Sequence, residues 1–181
     1  MIEQKKSYPD KSELQQKVQN AIERLLSHDH FLLEKDVNER SISHKLASYL
    51  QSEFGEEWHV DCEYNRDYEE VKKRLIIPKT PVKIEDTKAK TVFPDIIVHQ
   101  RDTDENLLVI EMKKASNSGE RDFDLRKLRA FRQGRHHYQH TFYLQLKTGN
   151  NIRIDEMQWD GEWMTSEDNP LGGLLARANP V

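Results

Sequence analysis

The chain has 181 residues, of which 35% are hydrophobic and 33% charged. It is therefore long enough for one domain with a modest core, and too apolar to be wholly disordered. The formal net charge of −4, from 28 basic and 32 acidic residues, excludes a protein that coats nucleic acid by bulk positive charge. No apolar run approaches the roughly 18 residues that span a membrane, and the N-terminal residues lack the apolar segment of a secretory signal, so we expect no membrane partner. The lone cysteine predicts a reducing, cytoplasmic compartment.

Two amphipathic helices are predicted near the N-terminus. Apolar residues recur at the helical period over residues 11–29 and again over about 37–54. Residues 36–39, Asp-Val-Asn-Glu, resemble a capping box at the start of the second helix. We expect the first helix, within residues 1–35, to pack on a domain that spans residues 36–168.

The period then changes to that of strands. Alternation of apolar and polar residues predicts a strand over residues 58–62. Residues 65–91 are polar and rich in lysine, which indicates a short helix or an extended arm followed by a loop. Two apolar runs, at 92–99 and 107–112, are separated by a short polar linker, so we expect them to form a hairpin.

The second half of the chain adds a helix and more strands. A helix is predicted over residues 119–134, and strands over 141–147, 152–159 and 162–164, with tight turns between the strands. Residues 169–181 form a C-terminal tail in this interpretation. The order of elements predicts an α/β protein of the α+β kind, in which helices flank a mixed sheet.

One stretch places charged residues at the ends of predicted strands. Pro94 and Asp95 open the first half of the hairpin, and Glu111, Met112 and Lys113 close the second. Because side chains alternate along a strand, Glu111 and Lys113 share a face, and the hairpin brings Asp95 beside them. Mg²⁺ takes oxygen ligands, so Asp95, Glu111 and the backbone carbonyl of Met112 would make a suitable set. Lys113 could then orient or help deprotonate a water, or stabilise charge on a phosphate.

These Pro-Asp and Glu-Met-Lys segments resemble the motif of the PD-(D/E)xK nuclease superfamily. The resemblance covers roughly residues 36–160 and implies a restriction-endonuclease-like core. It also implies a nuclease that uses Mg²⁺, or Mn²⁺ in its place, to hydrolyse phosphodiester bonds, usually in DNA. The family often has a further acid on the helix before the sheet, and Glu39 is the matching residue. The catalytic residues that the resemblance implies are Asp95, Glu111, Lys113 and Glu39.

The predicted helix after the motif is basic. Arg126, Arg129 and Arg132 recur every three residues around Lys127, and residues 119–135 contain six Lys/Arg against three Asp/Glu. Two interpretations stay open, a solvated helix face and a surface that contacts nucleic-acid phosphates. The resemblance favours Lys127 as the individual contact, because related nucleases often have a basic or amide residue here.

Other polar residues have a structural interpretation beside a functional one. The structural interpretation of Glu39 is that it forms the capping box with Asp36. For Glu63 a solvated charge is favoured over a further catalytic acid, and for His99 a structural histidine is favoured. A cluster of three histidines lacks the cysteine or carboxylate support of a zinc site. These histidines are His136, His137 and His140.

Three functions compete at this point. The first is an Mg²⁺-dependent nuclease acting in restriction, phage defence, repair or mobile-element processing; the second is a catalytically silent binding subunit with the same fold; the third is a protein-interaction domain. The complete set of Asp95, Glu111 and Lys113 favours the first. Residues 155–168 hold six acids and no Lys or Arg, so the rest of the chain is net positive and can bind a phosphate backbone locally. Specific recognition would need loops such as 65–91, a homodimer or a partner subunit.

Overall fold

In the computed structural model of the protein, residues 8–64 and 93–164 are described. The predicted loop over 65–91 and the predicted tail over 169–181 lie outside the described residues. Within the described ranges the protein is α/β, with helices on both sides of one six-stranded mixed sheet. This arrangement confirms the predicted α/β class with a mixed sheet flanked by helices.

Among the described residues, three helices precede the sheet: α1 (Lys11–His28), α2 (His30–Glu34) and α3 (Glu39–Phe54). The two long helices agree with the sequence period, because the apolar residues of both are buried in one core with the sheet. Helix α2 was not predicted, since five residues are too few to show a helical period. No helix in the described part of the chain is both long and apolar enough to cross a membrane.

The start of α3 differs from the predicted capping box. Asn38 is the N-cap, and its side chain accepts a hydrogen bond of 2.9 Å from the backbone N–H of Ser41. Asp36 has a φ of 50°, and its carboxylate lies 2.6 Å from the ammonium group of Lys114 instead. The prediction that Asp36 and Glu39 form a capping box is therefore wrong. Glu39 is the first residue of the helix, and its side chain is available for contacts with the sheet.

The strands of the sheet lie in chain order: β1 (His59–Cys62), β2 (Ile96–His99), β3 (Asn106–Lys114), β4 (His140–Lys147), β5 (Arg153–Trp159) and β6 (Glu162–Trp163). The predicted hairpin of β2 and β3 is confirmed. Of these six described strands, only β3 and β4 are parallel neighbours, and a 3₁₀ turn (Ala115–Glu120) and helix α4 (Arg121–Gln133) connect them. A parallel pair needs such a crossover, which lays α4 over the sheet.

Alternate residues of β3 face different sides of the sheet. Ile110 and Met112 belong to the larger core, with α1 and α3. Val109 belongs to the smaller core beneath α4. The same alternation directs Glu111 and Lys113 toward α4, where charged groups replace apolar ones along the strand.

Candidate active site

The two carboxylates of the motif lie side by side at one end of the hairpin. The register pairs Ile96 with Ile110, so Asp95 and Glu111 form the next pair outward. The Oδ2 atom of Asp95 accepts a hydrogen bond of 2.9 Å from the backbone N–H of Met112, which holds this carboxylate against β3. The structure therefore brings Asp95 and Glu111 together, as the hairpin predicts.

Glu111 is almost completely buried, with 1% of its surface exposed. Its Oε2 atom lies 2.5 Å from the Nζ atom of Lys127, and its Oε1 atom has no hydrogen-bond partner among the described residues. Burial and then the nearby charge of Asp95 raise the pKa of Glu111 well above its ordinary value, although Lys127 acts in the opposite direction. A buried carboxylate in this condition is costly unless it gains a proton or a cation.

The carboxyl group of Asp95 also has a raised pKa. Burial raises the pKa of its carboxyl group, Lys127 and the Met112 N–H oppose the rise, and the charges of Asp124 and Glu39 add to it. The net direction is upward. Several carboxylates are therefore within electrostatic reach of one another, and they favour a site for a cation.

Lys113 faces α4 and is paired there with Asp124. Its Nζ atom lies 2.8 Å from Asp124 Oδ2, and only 4% of Lys113 and 8% of Asp124 are exposed. Asp124 is absent from the residues predicted from sequence. The signal that could have revealed it is its spacing of three residues from Lys127, which puts both on the buried face of α4 with Leu128.

Lys127 lies between the carboxylates. Its Nζ atom contacts Glu111 at 2.5 Å and is 3.9 Å from Asp124 Oδ1. Burial alone would lower the pKa of Lys127, but the charges of Glu111 and Asp95 outweigh this effect, so its pKa is raised. The group is therefore a cation at neutral pH, and it is part of the site itself.

The three arginines of α4 that were predicted to contact phosphates lie elsewhere. Arg126 and Arg129 project from the side of the helix opposite the buried face that carries Lys127. Arg132 donates a hydrogen bond of 3.0 Å to the backbone carbonyl of Asp160 and lies 3.5 Å from its carboxylate. The predicted basic face thus divides into one lysine inside the site and three arginines outside it.

Glu39 reaches the site from the other helical layer. Its Oε2 atom accepts hydrogen bonds from the backbone N–H of Lys114, at 2.8 Å, and from the side-chain amide of Asn117, at 3.1 Å. The Glu39 carboxylate therefore fixes the end of β3 directly after Lys113, and its charge contributes to the raised pKa of Asp95.

The remaining predicted residues have ordinary partners. His99 is buried and its Nε2 atom lies 2.8 Å from an Asp61 carboxylate oxygen, while Glu63 is half exposed and pairs with Arg40 at 2.9 Å. These contacts agree with a structural histidine and a solvated charge. Within residues 8–64 and 93–164, no three His, Cys, Asp or Glu side chains are grouped to hold a metal ion.

The donors that are present fit Mg²⁺ all the same. This ion usually binds through one or two carboxylates and keeps several waters, so it does not need a third acidic side chain. Asp95 and Glu111 would offer two carboxylate ligands, and Glu111 Oε1 is buried without a hydrogen-bond partner among the described residues. Burial is the main cause of the raised pKa values of both groups, so a bound cation would favour their charged forms. Asp95 and Glu111 are the side chains that would hold the ion.

An open cleft of about 600 Å³ extends from Asp95 along α3. Arg40, His44 and Lys45 of α3 line it on one side, and Cys62 and Glu63 contribute from the end of β1. Basic side chains of α3 therefore line the same cleft as Asp95.

No protein-family model, curated protein or solved structure matches this chain. Its function must therefore be inferred from the site and from the motif.

Proposed function

We propose that this protein is an Mg²⁺-dependent nuclease that hydrolyses phosphodiester bonds, with DNA as the favoured substrate. The observation that carries the proposal is the pairing of Asp95 with the buried Glu111 across the hairpin, where both carboxyl groups have raised pKa values and Lys113 shares the strand face of Glu111. Carboxyl groups that burial makes costly to ionise favour a bound cation.

The order of elements supports a restriction-endonuclease-like core. Such a core has a helix before the sheet, an antiparallel catalytic hairpin, a crossover helix and a further strand. Helix α3, strands β2 and β3, helix α4 and strand β4 follow this order, with the motif on the hairpin. Asp95, Glu111 and Lys113 occupy the catalytic positions in this comparison.

Each residue has a distinct role in the proposed reaction. A divalent cation bound by Asp95 and Glu111 would lower the pKa of a water and offset negative charge on the phosphate. The Met112 N–H orients Asp95, and Asp124 orients the Lys113 ammonium group, which stabilises negative charge on the phosphate undergoing attack.

Water is the nucleophile in this proposal. Cys62 lies in the cleft near Asp95, but burial raises the pKa of its thiol to about 11. The thiol is therefore protonated at neutral pH and is a poor nucleophile. Attack by water on phosphorus needs no covalent intermediate.

The cleft along α3 is the proposed path of the substrate backbone. Arg40 and Lys45 are 85% and 48% exposed at their side chains, and both line the cleft that reaches Asp95. Arg126 and Arg129 point away from the buried face of α4, so they would contact only a substrate that wraps around the helix. We therefore assign phosphate contacts to α3 first and to the α4 arginines second.

A nucleic-acid-binding subunit without catalysis is the second candidate. The observation that favours it is the ion pair between Lys127 and Glu111, because a lysine that already neutralises the acid is what an inactive site would keep. The two candidates make opposite predictions about cleavage.

A cleavage assay separates them. The purified chain is incubated with linear, circular and single-stranded DNA and with RNA, in Mg²⁺, Mn²⁺ or EDTA. Asp95→Ala and Lys113→Ala are tested beside Lys11→Ala, a control that removes a lysine distant from the motif in sequence. We expect cleavage that requires the ion, survives in the control and disappears in both site variants. Cleavage that persists in EDTA or in both site variants would contradict the mechanism, and nucleic-acid binding without cleavage would favour the second candidate.

A further inference from the structure

The position of Lys127 poses a problem for the proposed cation site. Its ammonium group lies 2.5 Å from the Glu111 carboxylate, and only 6% of the residue is exposed. A divalent cation at Glu111 would therefore meet a buried positive charge that cannot escape to water. Either the lysine moves when the ion binds, or it prevents binding.

Asp124 is an alternative ion-pair partner for Lys127. Its Oδ2 atom is engaged by Lys113 at 2.8 Å, but its Oδ1 atom faces Lys127 Nζ at 3.9 Å. Asp124 precedes Lys127 by three residues on the same helix, so the two side chains are neighbours on its surface. The four flexible methylenes of a lysine allow its ammonium group to shift over this distance without movement of the helix.

We propose that Lys127 is a resident counter-ion, which neutralises Glu111 until a divalent cation binds and then shifts to Asp124. This inference rests on the proposed nuclease function, because it assumes the same cation site. It makes Lys127 and Asp124 positioning residues that set the affinity for the ion.

The proposal gives the two residues opposite effects on ion affinity. Removing Lys127 removes a competitor for Glu111, so the ion should bind more tightly. Removing the Asp124 charge leaves the displaced ammonium group without a partner, so the ion should bind more weakly. Changes of about 10- to 100-fold are typical when partners of metal ligands are altered.

Calorimetric titration with Mn²⁺ tests these expectations without any substrate. The full-length chain is compared as wild type, Lys127→Met, Asp124→Asn and the double variant, with Lys11→Met as the control that removes a lysine at another carboxylate. Methionine is used because it is also unbranched and flexible, and fills the buried space without a charge. We expect about tenfold or more tighter binding in Lys127→Met, weaker binding in Asp124→Asn, and no change in the control.

The double variant tests the coupling between the two side chains. Once Lys127 is gone, Asp124 has no displaced ammonium group to receive, so its substitution should weaken binding less than it does in the wild type. Equal effects of Asp124→Asn in both backgrounds would overturn the proposed shift.

A stability measurement separates the counter-ion role from a merely structural one. In EDTA, Lys127→Met should unfold at a lower temperature than the wild type, because Glu111 and Asp95 lose their nearest cation. Saturating Mn²⁺ should close this gap. If Lys127→Met does not fold in EDTA, Lys127→Gln is used, since it keeps a hydrogen-bond donor without the charge. A variant that folds only with Mn²⁺ supports the proposal as well.

The outcomes distinguish this inference from the proposed function. If the wild type and the Lys127 variants all bind no Mn²⁺ or Mg²⁺, the nuclease proposal fails, and this inference fails with it. If the wild type binds the ion and Lys127→Met binds it equally or more weakly, only the counter-ion role is overturned.

Discussion

Two clusters of charged side chains in this protein shift the pKa values of their carboxyl groups in opposite directions. The first surrounds Asp160, in the turn after β5. Its carboxylate accepts a hydrogen bond of 2.9 Å from the Thr141 N–H and lies 3.1 Å from His140, 3.1 Å from Lys11 and 3.5 Å from Arg132. Burial would raise the pKa of Asp160, but these partners outweigh burial and hold the pKa well below its ordinary value.

The second cluster is the candidate active site, where the balance is reversed. Asp95 and Glu111 have raised pKa values, and one oxygen of Glu111 has no hydrogen-bond partner among the described residues. A carboxylate with more partners than it needs stabilises a turn. Carboxylates with few partners destabilise a fold, and under the proposed function Asp95 and Glu111 would serve to bind the cation. The comparison predicts that the two clusters respond differently to substitution, to metal ions and to pH.

The largest expected difference is in catalysis. Lys113→Ala removes the ammonium group beside the cation site, so cleavage should fall at least about 100-fold, a typical effect for removing one positioned catalytic group. The matched control is Lys11→Ala, which removes a lysine from the Asp160 cluster. Initial rates on the preferred DNA in Mg²⁺ provide the measurement, and equal losses in both variants would contradict the distinction between the clusters.

The response to Mg²⁺ should differ next. A ligand that binds only the folded state, at 100 times its Kd, raises the free energy of unfolding by about 2.7 kcal/mol. We expect such a gain for the wild type and for Asp160→Asn, and none for Glu111→Gln, which loses an anionic ligand. Urea unfolding in Mg²⁺ and in EDTA measures the gain. A normal gain in Glu111→Gln would show that the ion binds elsewhere.

Asp160→Asn should reduce stability itself. The loss of a buried, charged acceptor predicts a decrease of about 1–3 kcal/mol in the free energy of unfolding at pH 7. Because the pKa of Asp160 is lower in the folded protein than the ordinary 3.8, its stabilising contribution is present above pH 3.8 and lost as pH falls through the folded pKa. The difference between wild type and variant in urea unfolding should therefore be smaller at pH 3 than at pH 7. A difference in unfolding free energy between wild type and Asp160→Asn that is larger at pH 3 than at pH 7 would contradict this prediction.

The smallest expected effect concerns the approach of the substrate. A lysine that contacts a phosphate contributes about one unit to the slope of log K against log salt. Lys45→Gln in the cleft should reduce this slope by about one, whereas Arg129→Gln on the outer face of α4 should leave it unchanged. Binding of a fluorescent DNA in EDTA at several salt concentrations measures both slopes. A reduced slope in Arg129→Gln with an unchanged slope in Lys45→Gln would show that DNA binds on the outer face of α4 instead.

The hairpin and its three motif residues were predictable from sequence because they depend on local rules. The period of two directs Glu111 and Lys113 to one face, and the short linker makes Asp95 the neighbour of Glu111. Helix α4 was predicted as an element, but its position over the sheet follows from the parallel crossover between β3 and β4. The spacing of Asp124 from Lys127 could have placed both on one face of α4, but the crossover brings that face against Lys113.

Long-range contacts explain the other differences. Asp36 was expected to cap α3, but its positive φ turns it toward Lys114, and Asn38 takes its place. Glu39 bonds the backbone of a residue 75 positions away, which no local pattern could indicate. Lys127 was expected to contact a phosphate, since the sequence shows its charge and does not show that Glu111 faces it.

The central claim is that Asp95 and Glu111 share a divalent cation. Its most direct test is a crystal structure of the protein grown or soaked with Mn²⁺, with data collected to show the anomalous signal of the metal. The account predicts a peak within coordination distance of both carboxylates, and Lys127 displaced from Glu111 toward Asp124. A Mn²⁺ peak bound elsewhere, or no peak at Asp95 and Glu111 under saturating Mn²⁺, would contradict it.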